Sequence, residues 1–253
     1  MKLHTFTIAW RELRGMFSTS MGFLVLTGFV FLLGLWWTAT LISYSAYMAN
    51  VIENPYAQDQ ADLSSMLLAP FFKDGMSFLL AMMAPAISMR LFSDELKSKS
   101  IELLFTSPVS TLEIVLGKYL GAMGFVVVML LATGTIPASL YFLAEPDWGV
   151  VAGGYMACFL TCAVTVAIGM LYSSFTENAI VSLILGFATS MGLWLLPYMT
   201  DDKEALIRKV CLGSHLESFA SASLTVADTT YFASVIAFLL FATWQRVEGY
   251  RWR

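Results

Sequence analysis

The sequence predicts an all-α integral membrane protein. It has six transmembrane helices, an N-terminal interfacial helix, a polar helical segment between helices 2 and 3, and short outer helices between helices 5 and 6. Three observations predict this. Hydrophobic residues fill 58% of the 253 positions and charged residues 13%, against about 45–50% and about 25% in soluble domains. The charges are gathered into short islands, leaving apolar runs of the roughly 20 residues needed to cross about 30 Å of hydrocarbon. Lys and Arg fall mostly on one side of those runs. No repeat or low-complexity linker divides the chain, so residues 1–253 read as one membrane domain.

The elements follow in order. Across residues 1–17, Leu3, Phe6, Trp10, Leu13 and Phe17 recur at three and four spacing opposite Lys2, Arg11, Glu12 and Arg14. That pattern describes an amphipathic helix lying in the membrane interface. No charge occurs from Gly15 to Ile52, a run far longer than the roughly 7–15-residue apolar core of a cleaved signal. Span one is therefore an anchor that stays, from Ser20 to Tyr44. Span two lies between Asp74 and Arg90, short for a crossing unless its outer end extends back through Met66–Phe72. Span three runs Tyr119–Ala144, span four Trp148–Thr176, span five Asn178–Thr200 and span six Thr229–Gln245. Pro85 and Pro137 bend spans two and three, and Pro197 the outer end of span five. Between spans five and six, residues 201–228 are too apolar for a disordered loop. Leu206, Ile207, Val210, Leu216, Phe219 and Leu224 point to short outer helices.

Orientation follows from the cations. With the N-terminus inside, Lys2, Arg11, Arg14, Arg90, Lys97, Lys99, Lys118, Arg246, Arg251 and Arg253 are cytoplasmic, leaving Lys73, Lys203, Arg208 and Lys209 outside. This asymmetry places both termini in the cytoplasm. The net charge of −4 argues against a nucleic-acid partner.

Several chemistries are excluded. No span carries an ionisable residue near its midpoint, where ion- and proton-coupled carriers keep theirs. Gly117-Lys118 is followed by Tyr119 and has no glycine five residues upstream, so it is not a phosphate-cradling loop. His4 and His215 fall on opposite predicted sides of the membrane with no nucleophile elbow near either, so no catalytic site is expected. Cys158 and Cys162 share a helix face without further metal ligands nearby and read as buried thiols. No cofactor is expected in the chain itself. Small residues mark faces for close helix approach: Gly117, Gly121 and Gly124 in span three, Gly22, Gly28 and Gly34 in span one, Gly186 and Ser190 in span five. Packing within the chain and pairing between two chains both suit the span-three face.

Arg90 to Lys118 is the most informative stretch: a polar, Lys-rich island between two apolar runs, apolar on one side and charged on the other. Glu95, the run Glu102-Leu103-Leu104 and Pro108 ahead of a helix start at Glu113–Lys118 resemble the cytoplasmic coupling helix of ABC-2 type transporter permeases. Lys99-Ser100 stands where that family has a Gly-Thr or similar pair, so the turn glycine is missing and the helix is free to run on. Leu171 to Asn178 is similar to the family's short inner link between spans four and five. Ser214 to Phe219, followed by Asp228 and Tyr231, resembles its outer helical loop, with Ala222 or Ser223 in place of a usual glycine. The gliding-motility-associated and nitrous-oxide-maturation-associated branches are the nearest in pattern.

The resemblance implies a non-catalytic permease subunit of an ATP-binding cassette exporter in the bacterial cytoplasmic (inner) membrane. ATP is then bound by a separate ABC ATPase dimer docked below the coupling segment, residues 93–110. Arg11, Arg14, Glu95, Lys99, Glu102, Leu103, Leu104 and Pro108 would meet that ATPase; a local Glu95–Lys99 pair on a solvated face is the simpler alternative. A second copy or a related permease would pair along span one and span five, through Gly28, Gly34, Gly186 and Ser190. A periplasmic or membrane accessory protein is a further expected partner, beside the bilayer. A force-transmitting or assembly component that moves no substrate through itself is the alternative function. The substrate is not legible in the sequence.

Overall fold

The computed structural model describes residues 2–53, 64–101, 109–140, 147–196 and 226–251. Among these residues every regular element is helical. α1 spans Lys2–Ser18 and α2 Ser20–Glu53. Two π-helical turns, Ser64–Leu68 and Phe71–Met76, lead into α3 (Ser77–Ser88). A tight corner and the short α4 (Ser93–Lys97) follow. Next come α5 (Thr111–Thr133), α6 (Thr135–Ser139), α7 (Trp148–Ser173), α8 (Ala179–Leu195) and α9 (Val226–Arg251).

Among the described residues, five stretches are long and apolar enough to cross a membrane: Ser20–Asn50, Met66–Lys97, Thr111–Ser139, Trp148–Ser173 and Val226–Arg251. α8 is a shorter apolar helix of 17 residues, about 26 Å at 1.5 Å per residue. The expected span five extends past it, through residues 197–200, outside the described residues. The outer helices expected over 201–228 also lie outside them, except that α9 already begins at Val226.

α7 is the centre of the bundle, packed against α3, α5, α8 and α9. Its sequence makes this possible: Ala, Gly, Cys, Val and Thr leave Gly153, Gly154, Ala157, Cys158, Cys162 and Val166 buried on successive turns. Its two buried threonines need no partner from another helix, because Thr161 donates to the Ala157 carbonyl at 2.9 Å and Thr165 to the Thr161 carbonyl at 3.0 Å. α2 is the opposite case, with Leu24, Phe31 and Ile42 each more than 60% exposed. A face that apolar is covered by lipid or by another chain.

Span two takes the longer of its two expected extents, and span three starts earlier than expected. The outer end of span two extends back past the Lys73-Asp74 pair to Met66. The helical rod continues through both residues as a π-helical turn, which swings Phe71 onto Trp37 (ring centroids 4.9 Å apart) and Phe72 onto Tyr155 (5.3 Å). The aromatic burial stabilises an irregular turn that a charge-counting reading treats as the end of a span. Span three begins at Thr111 rather than Tyr119. Ser110 and Glu113 form a reciprocal capping box, with Ser110 N–H donating to Glu113 Oε2 at 3.0 Å and Glu113 N–H to Ser110 Oγ at 3.3 Å. At its other end α5 breaks at Gly134, three residues before Pro137, whose ring is incompatible with the carbonyl four residues earlier.

Candidate functional site

The polar island of the sequence folds into a corner held from three sides. Ser173, at the end of α7, accepts hydrogen bonds from the Phe92 and Ser93 amides at 2.9 and 3.0 Å and donates to the Met89 carbonyl at 3.0 Å. Ser93 Oγ donates to the same carbonyl at 2.6 Å. The corner between α3 and α4 therefore leaves few buried backbone groups unpaired, and one side chain 80 residues away in sequence supplies the match. α4 ends at Lys97, and Lys99 adopts a left-handed conformation, φ 56°, the one positive φ at a non-glycine among the described residues. The turn that the missing glycine put in question is thus made by lysine, and the helix does not run on.

Beneath this corner lies Lys118, whose side chain is 2% exposed. Its ammonium donates to Glu95 Oε1 at 2.8 Å, to Glu12 Oε1 at 3.3 Å and to the Leu91 carbonyl at 2.6 Å, and sits 5.2 Å from the Phe92 ring centroid. One cation thereby ties α1, α4 and the corner to α5. A buried cation is tolerated only with such compensation. Glu95 pairs with Lys118, not with Lys99, so the solvated local pair is not formed. Arg11 reaches Glu12 Oε1 at 3.1 Å from a largely exposed position.

α1 is brought to this cluster by the small-residue face of α5. A Cβ at Gly117 would lie 2.8 Å from Ile8 Cβ, and one at Gly121 would lie 2.7 Å from Glu12 Cβ and 2.8 Å from the Ala9 carbonyl. Only glycine admits this approach. The face expected to serve either internal packing or pairing is occupied by the chain's own α1. Phe6 and Trp10 point away from α5 and are 71% and 59% exposed, so α1 is apolar on its outer side too.

A second polar contact lies beside the corner. Arg246 of α9 stacks between the rings of Phe175 and Tyr250, at 4.8 Å from each centroid, and Tyr250 donates to the Ser174 carbonyl at 3.3 Å. The link between α7 and α8 is thereby fastened to α9. Next to Lys118, a cavity of about 320 Å³ opens between α1, α2, α3 and α4.

The residues expected to meet an ATPase separate into groups. Arg11, Arg14 and Lys99 are exposed at this end of the bundle, and Glu95 is half-buried in the cluster. Glu102, Leu103, Leu104 and Pro108 lie outside the described residues. Ile101, just before them, is already buried in the chain's own core. Of the residues expected at a seam between two chains, Gly34 faces open space and Gly28 has only the Met83 methyl at 3.9 Å. Gly186 packs inside the chain, where a Cβ would lie 3.3 Å from Pro85 and 3.4 Å from Gly169, and Ser190 is 1% exposed. Sequence reasoning missed Glu12, Lys118 and Ser173 as parts of one site. In the sequence Lys118 reads as a cytoplasmic cation at a helix start, and Ser173 is unremarked inside the Leu171–Asn178 stretch.

With this geometry in place, a family model described as ABC-2 family transporter protein matches residues 6–202, well over half the chain. No curated protein matches it.

Proposed function

From the premise that this chain belongs to the ABC-2 family of transporter proteins, membrane permease subunits of ABC transporters, we propose that it is the exporter half that a separate ATPase drives through residues 93–110. The observation that carries this reading is the Lys118 clasp. A load applied to α4 passes through Glu95 to Lys118 on α5, through Glu12 to α1, and through Ser173 to α7. The polar island is thus tied to the helices that would have to move. Arg11, Arg14, Lys99, Glu102, Leu103, Leu104 and Pro108 form the docking surface on this reading, with ATP held by the partner.

In the membrane, α8 and the residues after it make span five and bring the total to six, both termini are cytoplasmic, and α1 lies along the inner-leaflet interface with Phe6 and Trp10 among the lipid headgroups. The exposed faces of α2 and α8 form the seam to a second copy or a related permease. Replacing Leu103 and Leu104 together by Asp tests the docking role, since each carboxylate would be buried unpaired at a cost on the order of a few kcal/mol. The expected outcome is normal membrane insertion with loss of ATPase copurification. Normal copurification would remove the coupling role from this segment.

A further inference from the structure

We propose that the cluster of Glu12, Lys118 and Glu95 is a proton-operated release for the coupling segment. When Glu95 takes up one proton from water, its ion pair with Lys118 is lost and the charged tie between α4 and α5 opens. This deepens the coupling reading above and rests on it.

The cluster holds two carboxylates on one ammonium, and the two are not equivalent. Glu12 Oε1 has two cations, Lys118 at 3.3 Å and Arg11 at 3.1 Å. Glu95 Oε1 has Lys118 at 2.8 Å, and its Oε2 is buried without a hydrogen-bond partner among the described residues. One oxygen of a charged carboxylate is thus buried with no donor to meet it, which is costly. A proton removes that charge. It does not strand Lys118, which keeps Glu12 and the Leu91 carbonyl at 2.6 Å. Glu95 lines the cavity beside Lys118 and its side chain is 18% exposed, so water reaches it.

The other ionisable groups around Glu95 do not compensate it. α1 presents Glu12 and the largely exposed Arg11, and the corner presents Arg90, which is exposed. On its own segment Asp94, Lys97 and Lys99 are exposed too. α8, also packed against α4, has no ionisable side chain. Burial pushes the Glu95 carboxyl above its ordinary value of 4.5, outweighing the Lys118 ammonium that pulls it down, and the Glu12 charge adds a smaller push upward. The ion pair is therefore complete above that raised value and is lost as pH falls through it. The Phe92 and Ser93 amides donate to Ser173 whatever the pH, so the corner stays while its tie to α5 opens. Acidification of the cytoplasm thus disconnects a docked ATPase from the bundle.

The test is the pH dependence of ATP hydrolysis by the assembled complex, from about pH 8 to about pH 5, relative to the ATPase alone. Permease stimulation in the wild type should fall about tenfold across that range, to the level of Glu95→Gln, whose own profile should be low and flat. Glu12→Gln should move the step to lower pH, because a neighbouring negative charge is gone. Stability gives a readout without the ATPase. The folded chain holds the Glu95 proton more tightly than the unfolded chain, so this group adds stability as pH falls through the raised value. On acidification the wild-type melting temperature should therefore rise relative to that of Glu95→Gln. A melting-temperature difference that runs the other way, or the same hydrolysis step in Glu95→Gln, would overturn the switch. A wild type without a step beside a low, flat Glu95→Gln would also remove the switch and leave the coupling reading standing. Full stimulation by Glu95→Gln at the alkaline end would sink the coupling reading and the switch with it. Should Glu95→Gln not assemble, the wild-type step and its shift in Glu12→Gln decide.

Discussion

Lys118 is where one residue's chemistry matters most. Replacing it by Met leaves Glu12 and Glu95 facing each other in a buried setting. The expected loss is about 3–5 kcal/mol, as for removing one member of a buried ion pair. Thermal unfolding of the purified protein measures it, and adding Glu12→Gln and Glu95→Gln to Lys118→Met should recover much of the loss. An unchanged melting temperature in the single variant would mean the cluster is not held as described. Lys99 makes the opposite case. Its left-handed backbone suits glycine, so Lys99→Gly should be neutral or stabilising by about 1 kcal/mol, and Lys99→Val clearly destabilising, in the same measurement. The sequence announced Lys99, because a lysine stood at a glycine position of a recognisable pattern. It did not announce the clasp: Glu12 and Lys118 are 106 residues apart, and only the glycine spacing of α5 hinted that another helix would come that close.

At the scale of elements, apolar periodicity made the long helices legible, whereas irregular geometry hid the rest. The π-helical turn at Phe71–Met76 contains Lys73 and Asp74, which a hydropathy reading takes for a loop. The pattern Leu3, Phe6, Trp10, Leu13, Phe17 contributes Leu13 and Phe17 to the contact with α5, but it did not mark the closest approach, where Ile8, Ala9 and Glu12 meet the glycines. Gly121→Leu tests that contact: α1 should lift from α5, and a cysteine placed at Ile8 should gain maleimide labelling. Unchanged labelling would show that α1 is not seated there. The seam between two chains needs a different probe. Gly186→Leu would collide with Pro85 and Gly169 inside one chain, so it reports on folding. Gly34 faces open space, and Gly34→Leu should be nearly silent against lipid but weaken pairing if that face of α2 meets a second copy.

At the scale of the whole molecule, composition sufficed for a helical membrane protein, and the order of three weak motifs sufficed for its family. What could not be read was which residues tie the polar island to the bundle, because that depends on contacts between distant segments. The topology predicts that cysteine probes at Asp59 or Asp202 are labelled from outside and probes at Lys97 or Arg251 are not; the reverse pattern would invert the membrane placement. The central claim is that a docked ATPase acts on the bundle through Glu95 and Lys118. The most direct measurement is a double-mutant cycle on ATP hydrolysis by the assembled complex, comparing Glu95→Gln, Lys118→Met and the double variant with wild type. Each single variant should keep its ATPase bound yet lose permease-stimulated hydrolysis by about tenfold, and the double variant should be no worse than either single one, as for residues acting as one unit. Unimpaired hydrolysis in the single variants, or losses that simply add in the double variant, would contradict it.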